Sequence, residues 1–442
     1  MIMTAAVVRF SVAVVESGYR QLTTRIPGPE HDMQWQRLLS RARLGSQEAP
    51  RASSARTDFQ RDFDRVVFSS AFRRMQDKTQ VFPLSKVDYV RTRLTHSLEA
   101  SSIGRSLGTL VGEQVITRHG LNDFEAADFG SIVAAACLAH DIGNPPFGHS
   151  GEDAIRHWAH TGEYGARRVA MLQGSEREDF LAFEGNAQGF RIITRLQNPD
   201  NEGGLQLTCA TLAAFTKYPR ESWLGGSVYP GISAKKQGFA AADRAAFETV
   251  AETVGLIPRE NHHAMWCRHP LAFLVEAADD ISYRVIDIED GYRLGHFSYP
   301  EVLDLFWPLV TDKARQQPRL ERIRELKDRV EFLRAKVINE VIMQSLACFM
   351  DNEAAILTGQ FDETGAGRGP LPAPAAAHRL RLSHDRFLCG QPLQKGHRHL
   401  AAGRLRGRAA GMCGRYFLHS NAEALTELFG ELPMPRLAAR YN

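Results

Sequence analysis

Ala139-His140-Asp141-Ile142-Gly143-Asn144-Pro145-Pro146-Phe147-Gly148-His149-Ser150-Gly151-Glu152 is the stretch around which the chain is organised. An apolar run from Ile132 to Leu138 leads into it. That run ends on an adjacent imidazole and carboxylate. Apolar surface does not tolerate such a pair without a partner. A divalent cation would satisfy both, because imidazole and carboxylate are ordinary ligands of first-row metals. A Gly/Pro turn follows, then a second histidine and a glutamate three residues apart. The stretch reads as the floor of a metal-dependent hydrolase site.

Working outward, the preceding text predicts a helix over 128–140 that delivers the His-Asp pair at its end. An earlier helix is predicted over 93–118, with Leu94, Leu98, Ile103, Leu107, Leu110 and Val111 turned inward and Gly120 as its stop. Before it, Phe59, Phe63, Val66, Val67, Phe68 and Phe72 recur at helical spacing over 58–74, and 77–84 reads as a turn and a short extended piece. Beyond the central stretch, helices are predicted over 183–196, 205–218 and 270–292. The second of these ends at Lys217-Tyr218, where Pro219 forbids continuation. Residues 220–240 read as a loop. Residues 320–350 read as one or two amphipathic helices. Strand signals are few, so the class is mainly α, with bundle-like packing around the His-Asp helix.

Composition, with 43% hydrophobic and 24% charged residues, is that of an ordinary soluble globular protein. The net charge of +3 is local in origin: residues 363–411 hold eight Arg, one Lys and two acids, leaving 45 basic against 49 acidic residues elsewhere. The basic balance therefore says little about the ligands of the main domain. Six scattered cysteines form no C-x-x-C, which argues against a zinc ribbon or disulfide framework and for free thiols in the cytoplasm. The apolar patch from Thr4 to Val15 is broken by Arg9 and lacks the marks of a signal peptide. No run approaches the roughly 20 apolar residues of a membrane span.

The organisation expected is an extension over 1–32, a core over 33–362, and a low-complexity Arg/Ala/Gly/Pro segment over 363–411. That segment has the mix a frame shift in a GC-rich gene would produce. Met33 is a candidate initiator.

Four residues are candidate ligands for one metal: His96, His140, Asp141 and Asp279. An all-N/O set suits Mg²⁺, Mn²⁺, Fe²⁺ or Co²⁺. Singly, each has a plainer reading: a capping or core histidine, a chance dipeptide, a paired surface acid. The metal reading rests on their combination, each beside apolar helix text. Asp279, Tyr283 and Asp287 fall at i, i+4 and i+8, on one helix face and across about 12 Å at ~1.5 Å per residue. That is the reach from a metal-bound phosphate to the sugar of a nucleotide. His149 and Glu152 suit acid–base work. They read equally as decoration of a helix start capped by Ser150. Arg93 shares a helix face with His96, and Lys217 and Tyr218 stand at a helix end. These could hold phosphate, though a surface charge is the default for each. No P-loop or Rossmann fingerprint occurs.

These residues carry a resemblance. The order His96…His140-Asp141…Asp279 is similar to the HD superfamily of metal-dependent phosphohydrolases. The strings Asp64–Arg74, Asp77–Pro83, Arg91–Glu99, Ala139–Glu152, Phe183–Gly189 and Glu276–Tyr283 resemble the bacterial deoxyguanosinetriphosphate triphosphohydrolases over about 33–362. The resemblance implies an HD-domain helical bundle with additional helices. It implies hydrolysis of a dNTP, dGTP favoured, to deoxynucleoside and inorganic triphosphate. Carried over by position, His96, His140, Asp141 and Asp279 would bind one metal, and His149 and Glu152 would be the catalytic pair. Arg93, Lys217 and Tyr218 would hold phosphates, Tyr283 would pack near the sugar, and Gln80 and Asp287 would read the 3′-OH. Homo-oligomers, often hexamers, and binding of single-stranded DNA are implied as well. After Asp362 the family continues with helices that complete the base side of the pocket; here the text differs. Rival readings are another HD nucleotidase or phosphodiesterase, and an inactive nucleotide- or DNA-binding remnant. Residues 412–442 resemble the start of SRAP domains, whose chemistry uses an N-terminal Cys; Cys413 here is internal.

Overall fold

A computed structural model of the chain describes residues 32–46, 55–80, 91–224, 229, 231–259 and 264–361. The expected segments over 363–411 and 412–442, and nearly all of 1–32, lie outside them. Among the described residues the protein is mainly helical, with no strand longer than isolated bridges. The helices are α1 (Trp35–Leu38), α2 (Asp58–Val67), α3 (Ser70–Arg73), α4 (Arg93–His119), α5 (Ala126–Ala139), α6 (His149–Thr161), α7 (Glu163–Val169) and α8 (Gly174–Leu181). They continue with α9 (Gly185–Arg191), α10 (Cys209–Phe215), α11 (Arg244–Val254), α12 (Pro270–Arg293), α13 (Tyr299–Phe306), α14 (Lys313–Arg322) and α15 (Leu326–Leu357). No helix among the described residues is long and apolar enough to cross a membrane.

The middle of the bundle is α5, whose side chains are buried all round from Phe129 onward apart from Ser131. A helix apolar on every face has to be enclosed, and α2, α4, α10 and α12 enclose it. Its approach to α4 is unusually close. A Cβ at Gly104, Gly108 or Gly112 would come within 2.6 to 3.0 Å of Cys137 Sγ, the Phe129 carbonyl or Ala126. These glycines recur at i, i+4 and i+8, so they form one smooth stripe on which α5 lies. The contact sets the depth of α5, and therefore where His140 emerges. The start of α4 is fixed by a capping box between Thr92 and Thr95, and its end by Gly120 in the left-handed conformation. Pro270 at the first turn and His269 as N-cap begin α12.

Several expected helices are corrected. The helix expected over 58–74 breaks at Phe68, because Ser69 accepts the Phe72 N–H and restarts the chain as α3. The helix expected over 183–196 is α9 followed by a π turn over Ile192–Leu196. The helix expected over 205–218 is only α10, so Lys217 and Tyr218 stand beyond a helix end. The amphipathic text over 320–350, by contrast, forms two helices as expected, the end of α14 and the long α15. That last helix closes the molecule: Met33 N–H donates to the Leu357 carbonyl at 3.0 Å, and Trp35 Nε1 to Glu353 at 2.8 Å.

Candidate active site

Three elements bring the metal-type residues together. His96 comes from the first turn of α4, His140 from the cap of α5, and Asp279 from the middle of α12. Asp279 Oδ1 lies 3.0 Å from His96 Nε2 and 3.5 Å from His140 Nε2. One donor atom from each falls within 4.8 Å of the others. His140 Nδ1 donates to the Cys137 carbonyl at 2.6 Å. A carbonyl can only accept, so Nε2 is the nitrogen left for a ligand. Burial opposes a charge on His140, but Asp141 and Asp279 outweigh it and hold its pKa at about 9. Asp279 is ionised: burial works against it, while His140 and His96 keep it well below the carboxylate range. A tight imidazole–carboxylate set is what a divalent cation fits, displacing the proton from His140 Nε2.

Asp141 stands beside the three, with Oδ1 3.6 Å from His140 Nε2. Its Oδ2 accepts from Arg93 Nη1 at 2.6 Å, and Asn144 donates to its other oxygen. Burial of Asp141 is outweighed by Arg93, His140 and His96, which leave the carboxylate ionised.

The second cluster begins where the chain turns at Phe147 and Gly148, both at positive φ. For phenylalanine this backbone is strained. It throws His149 into the first turn of α6, with Gly148 as N-cap; Ser150 lies inside the helix, so it is not the cap. His149 Nδ1 lies 2.8 Å from Oε2 of Glu152, and Gly185 N–H donates to Glu152 Oε1 at 2.8 Å. Burial raises the Glu152 pKa, but His149, Lys236 and the Gly185 N–H bring it below the usual range. A Cβ at 185 would meet Asn144 Oδ1 at 2.2 Å and Glu152 Oε1 at 2.9 Å, so a side chain there would displace both.

Arg93 joins the two clusters. While one edge of its guanidinium holds Asp141, the other lies against Gly148, where a Cβ would come within 2.5 Å of Nη2. Tyr283 and Asp287 follow Asp279 by one and two turns of α12, with Asp287 buried. Gln80 follows the short antiparallel bridge between Thr79 and Thr92, and its buried Oε1 has no hydrogen-bond partner among the described residues. Lys217 reaches Glu276 Oε1 at 2.7 Å, and Tyr218 is buried. In this arrangement Lys217 is paired to Glu276, which lies three residues before Asp279 on α12.

Sequence reasoning missed three cations and acids around these clusters. Lys78 Nζ lies 3.3 Å from the Ile142 carbonyl, in the field of Arg93 and Asp141. Lys236 Nζ lies 2.8 Å from Glu184 and 3.9 Å from Glu152, in a segment read only as loop. Glu184 also accepts from Arg156 at 2.9 Å. A lysine in a Gly/Ser-rich loop carries no local signal of what it will meet.

Comparison with known proteins fits this geometry. The HD domain profile matches residues 93–214, the span that holds His96, the His140-Asp141 pair and the His149–Glu152 pair. The chain is 52% identical over 337 residues to a deoxyguanosinetriphosphate triphosphohydrolase-like protein of Synechocystis sp. (strain ATCC 27184 / PCC 6803 / Kazusa), covering 75% of each chain. It is 43% identical over 330 residues to a protein of the same description from Pseudomonas aeruginosa (strain LESB58), covering 74% of this chain and 73% of that one. A deoxyguanosinetriphosphate triphosphohydrolase of Enterobacter sp. (strain 638) is 34% identical over 348 residues, covering 69% and 66%.

Proposed function

This chain belongs to the HD-domain family of deoxyguanosinetriphosphate triphosphohydrolase-like proteins, and from that premise we propose that it hydrolyses a deoxynucleoside triphosphate, dGTP foremost, to deoxynucleoside and inorganic triphosphate. The observation that carries the reading is Arg93, whose guanidinium stands between the His96/His140/Asp279 group and the His149–Glu152 pair. A tetrahedral phosphate seated on that guanidinium has one side toward each cluster.

His96, His140 and Asp279, with Asp141 beside them, would hold one divalent cation: Mn²⁺, Mg²⁺, Fe²⁺ or Co²⁺. When bound, it opposes phosphate charge and lowers the pKa of water. The chain's own residues supply the rest. Arg93 binds the α-phosphate and fixes its orientation. Hydrolysis at that phosphorus moves the bond from the nucleoside 5′ oxygen to a water oxygen, and the 5′ oxygen must gain a proton. His149 follows Gly148, which packs against the Arg93 Nη2 while Nη1 holds Asp141, and in this reading it gives that proton to the departing oxygen. Glu152 accepts from Nδ1–H, which directs Nε2 outward and stabilises the charged imidazole. Lys217 and Tyr218 take the outer phosphates. Tyr283 and Asp287, further along α12, take the sugar, and Gln80 adds a buried acceptor for the 3′-OH.

Purified chain incubated with Mn²⁺ and dGTP, with products resolved by ion-exchange chromatography, tests the reading. Deoxyguanosine and triphosphate in equal amounts are expected. Release of pyrophosphate, phosphate or a nucleotide would instead assign another HD phosphohydrolase activity. Nucleotide binding with no release at all would leave a binding protein.

A further inference from the structure

Arg268 is almost wholly enclosed, with a side-chain exposure of 1%. Its Nη1 donates to Oε2 of Glu276 at 2.9 Å. Its Nε and Nη2 reach no acceptor among the described residues. A guanidinium carries five donors in a flat fork shaped for both oxygens of a carboxylate. Here it receives one oxygen only. The other, Oε1 of Glu276, is taken by Lys217 Nζ at 2.7 Å. Two cations thus share one carboxylate, and the one left with unpaired donors is the one that cannot reach solvent.

The local fold explains why they meet. Arg220 bridges Met265, and Trp266 N–H donates to the Pro219 carbonyl at 2.9 Å. This short pairing brings Arg268 beside Tyr218, whose ring centre lies 5.5 Å from the guanidinium carbon, with the Phe273 ring at 5.4 Å. Flat apolar walls hold the fork in one plane. Glu276 lies three residues before Asp279 on α12, hence on the same face. Lys217 therefore sits at the edge of the active site, and 31% of its side chain is exposed.

We propose that Arg268 is a positioning residue for Lys217: when a triphosphate enters, the Lys217 ammonium turns from Glu276 to the phosphate oxygens, and Glu276 closes with both oxygens onto the Arg268 fork. This rests on the reading of Lys217 as a phosphate ligand. Charge is balanced on both sides of the exchange. The substrate takes over neutralisation of Lys217, and Glu276 keeps a full counter-ion instead of being stranded. Without Arg268, Glu276 would hold Lys217 as its sole partner, and phosphate would have to break that pair uncompensated.

The test uses the full chain carrying Lys217→Met, Arg268→Met, or both. Two readouts are taken: the split between KM and kcat for dGTP with Mn²⁺, and the Kd for inorganic triphosphate by calorimetry. Arg268→Met is expected to raise KM and Kd about tenfold with kcat little changed, a loss of about 1.4 kcal/mol of binding. In the Lys217→Met background the same substitution should add nothing. An Arg268 effect that persists undiminished there means Arg268 acts through packing alone, and overturns the inference. If Lys217→Met by itself leaves KM and Kd unchanged, the phosphate role of Lys217 fails and the inference falls with it. Should Arg268→Met misfold by circular dichroism, Arg268→Lys keeps the charge and removes the fork. Its smaller rise must likewise vanish when Lys217 is absent.

Discussion

Arg93 Nη1 lies 2.6 Å from Oδ2 of Asp141, and this single ion pair ties the start of α4 to the end of α5 at the point where the two clusters meet. Both partners are buried. The pair serves folding and chemistry at once, so its removal should register in both. Arg93→Ala leaves the Asp141 carboxylate without its cation and removes the donor expected to orient the α-phosphate. A hydrogen bond to a charged group is worth about 1.5–3 kcal/mol, so kcat/KM for dGTP should fall roughly 10- to 100-fold. Steady-state kinetics beside a thermal melt checks it. An unchanged kcat/KM would remove Arg93 from the substrate site.

His149 separates catalysis from metal binding. It is half exposed, hydrogen-bonded to Glu152 and not one of the His96/His140/Asp279 group. His149→Ala should lower kcat by about 10²–10⁴-fold, the range for loss of a proton-transfer group. Bound metal, measured by plasma mass spectrometry, should stay at the wild-type ratio. Equal loss of metal would make His149 a ligand instead.

Gly143 is the tightest crossing in the His-Asp turn. A Cβ there would meet the Gly185 carbonyl and the Gly189 N–H, each at 2.1 Å. Both are backbone, so neither can swing aside. Gly143→Ala should therefore push α9 away from the turn and loosen the Gly185 bond to Glu152 at the same time. The expected cost is about 1–3 kcal/mol of overpacking. The midpoint of thermal unfolding should drop by several degrees and kcat should fall with it. A stable, fully active Gly143→Ala protein would show that the two segments separate freely.

What could be read in advance follows the range of the interactions. α4 is legible to within a residue because Thr92 begins it and Gly120 ends it, both local signals. The His140-Asp141 pair is legible because an apolar helix running into two polar ligands is a local contradiction that needs an external partner. α12 is legible from Pro270 onward for the same kind of reason. The break at Ser69 was hidden, since the phenylalanine spacing runs straight through it and a serine side chain chose the backbone of Phe72. α11 also went unread, although Phe247, Val250, Ala251 and Val254 mark its buried face and Gly255 its end. The pairing of Lys217 with Glu276 and of Lys236 with Glu184 depends on residues dozens of positions apart. No local pattern encodes such a meeting. The glycine stripe of α4 lies between these cases: its spacing is plain, but only the packing of α5 shows why side chains are excluded there.

His269 makes the start of α12 sensitive to acid. Its Nδ1 accepts the Leu271 N–H at 3.1 Å, so that nitrogen must be bare, and Nε2 donates to the Leu38 carbonyl at 3.1 Å. Burial pushes its pKa down from 6.5 to about 4, against the modest help of the Leu38 carbonyl. The folded state therefore holds a neutral imidazole where the unfolded chain would take up a proton. With a depressed folded pKa, the stabilisation is fully present above pH 6.5 and is lost progressively as pH falls toward 4. The gap corresponds to roughly 3 kcal/mol across that window. Thermal melts of wild type and His269→Asn between pH 7.5 and pH 4 isolate it, because asparagine can cap α12 without titrating. The difference in stability between the two proteins should shift in favour of the variant by most of that amount as pH falls. Parallel curves for the two proteins would mean that protonation of His269 is not coupled to folding.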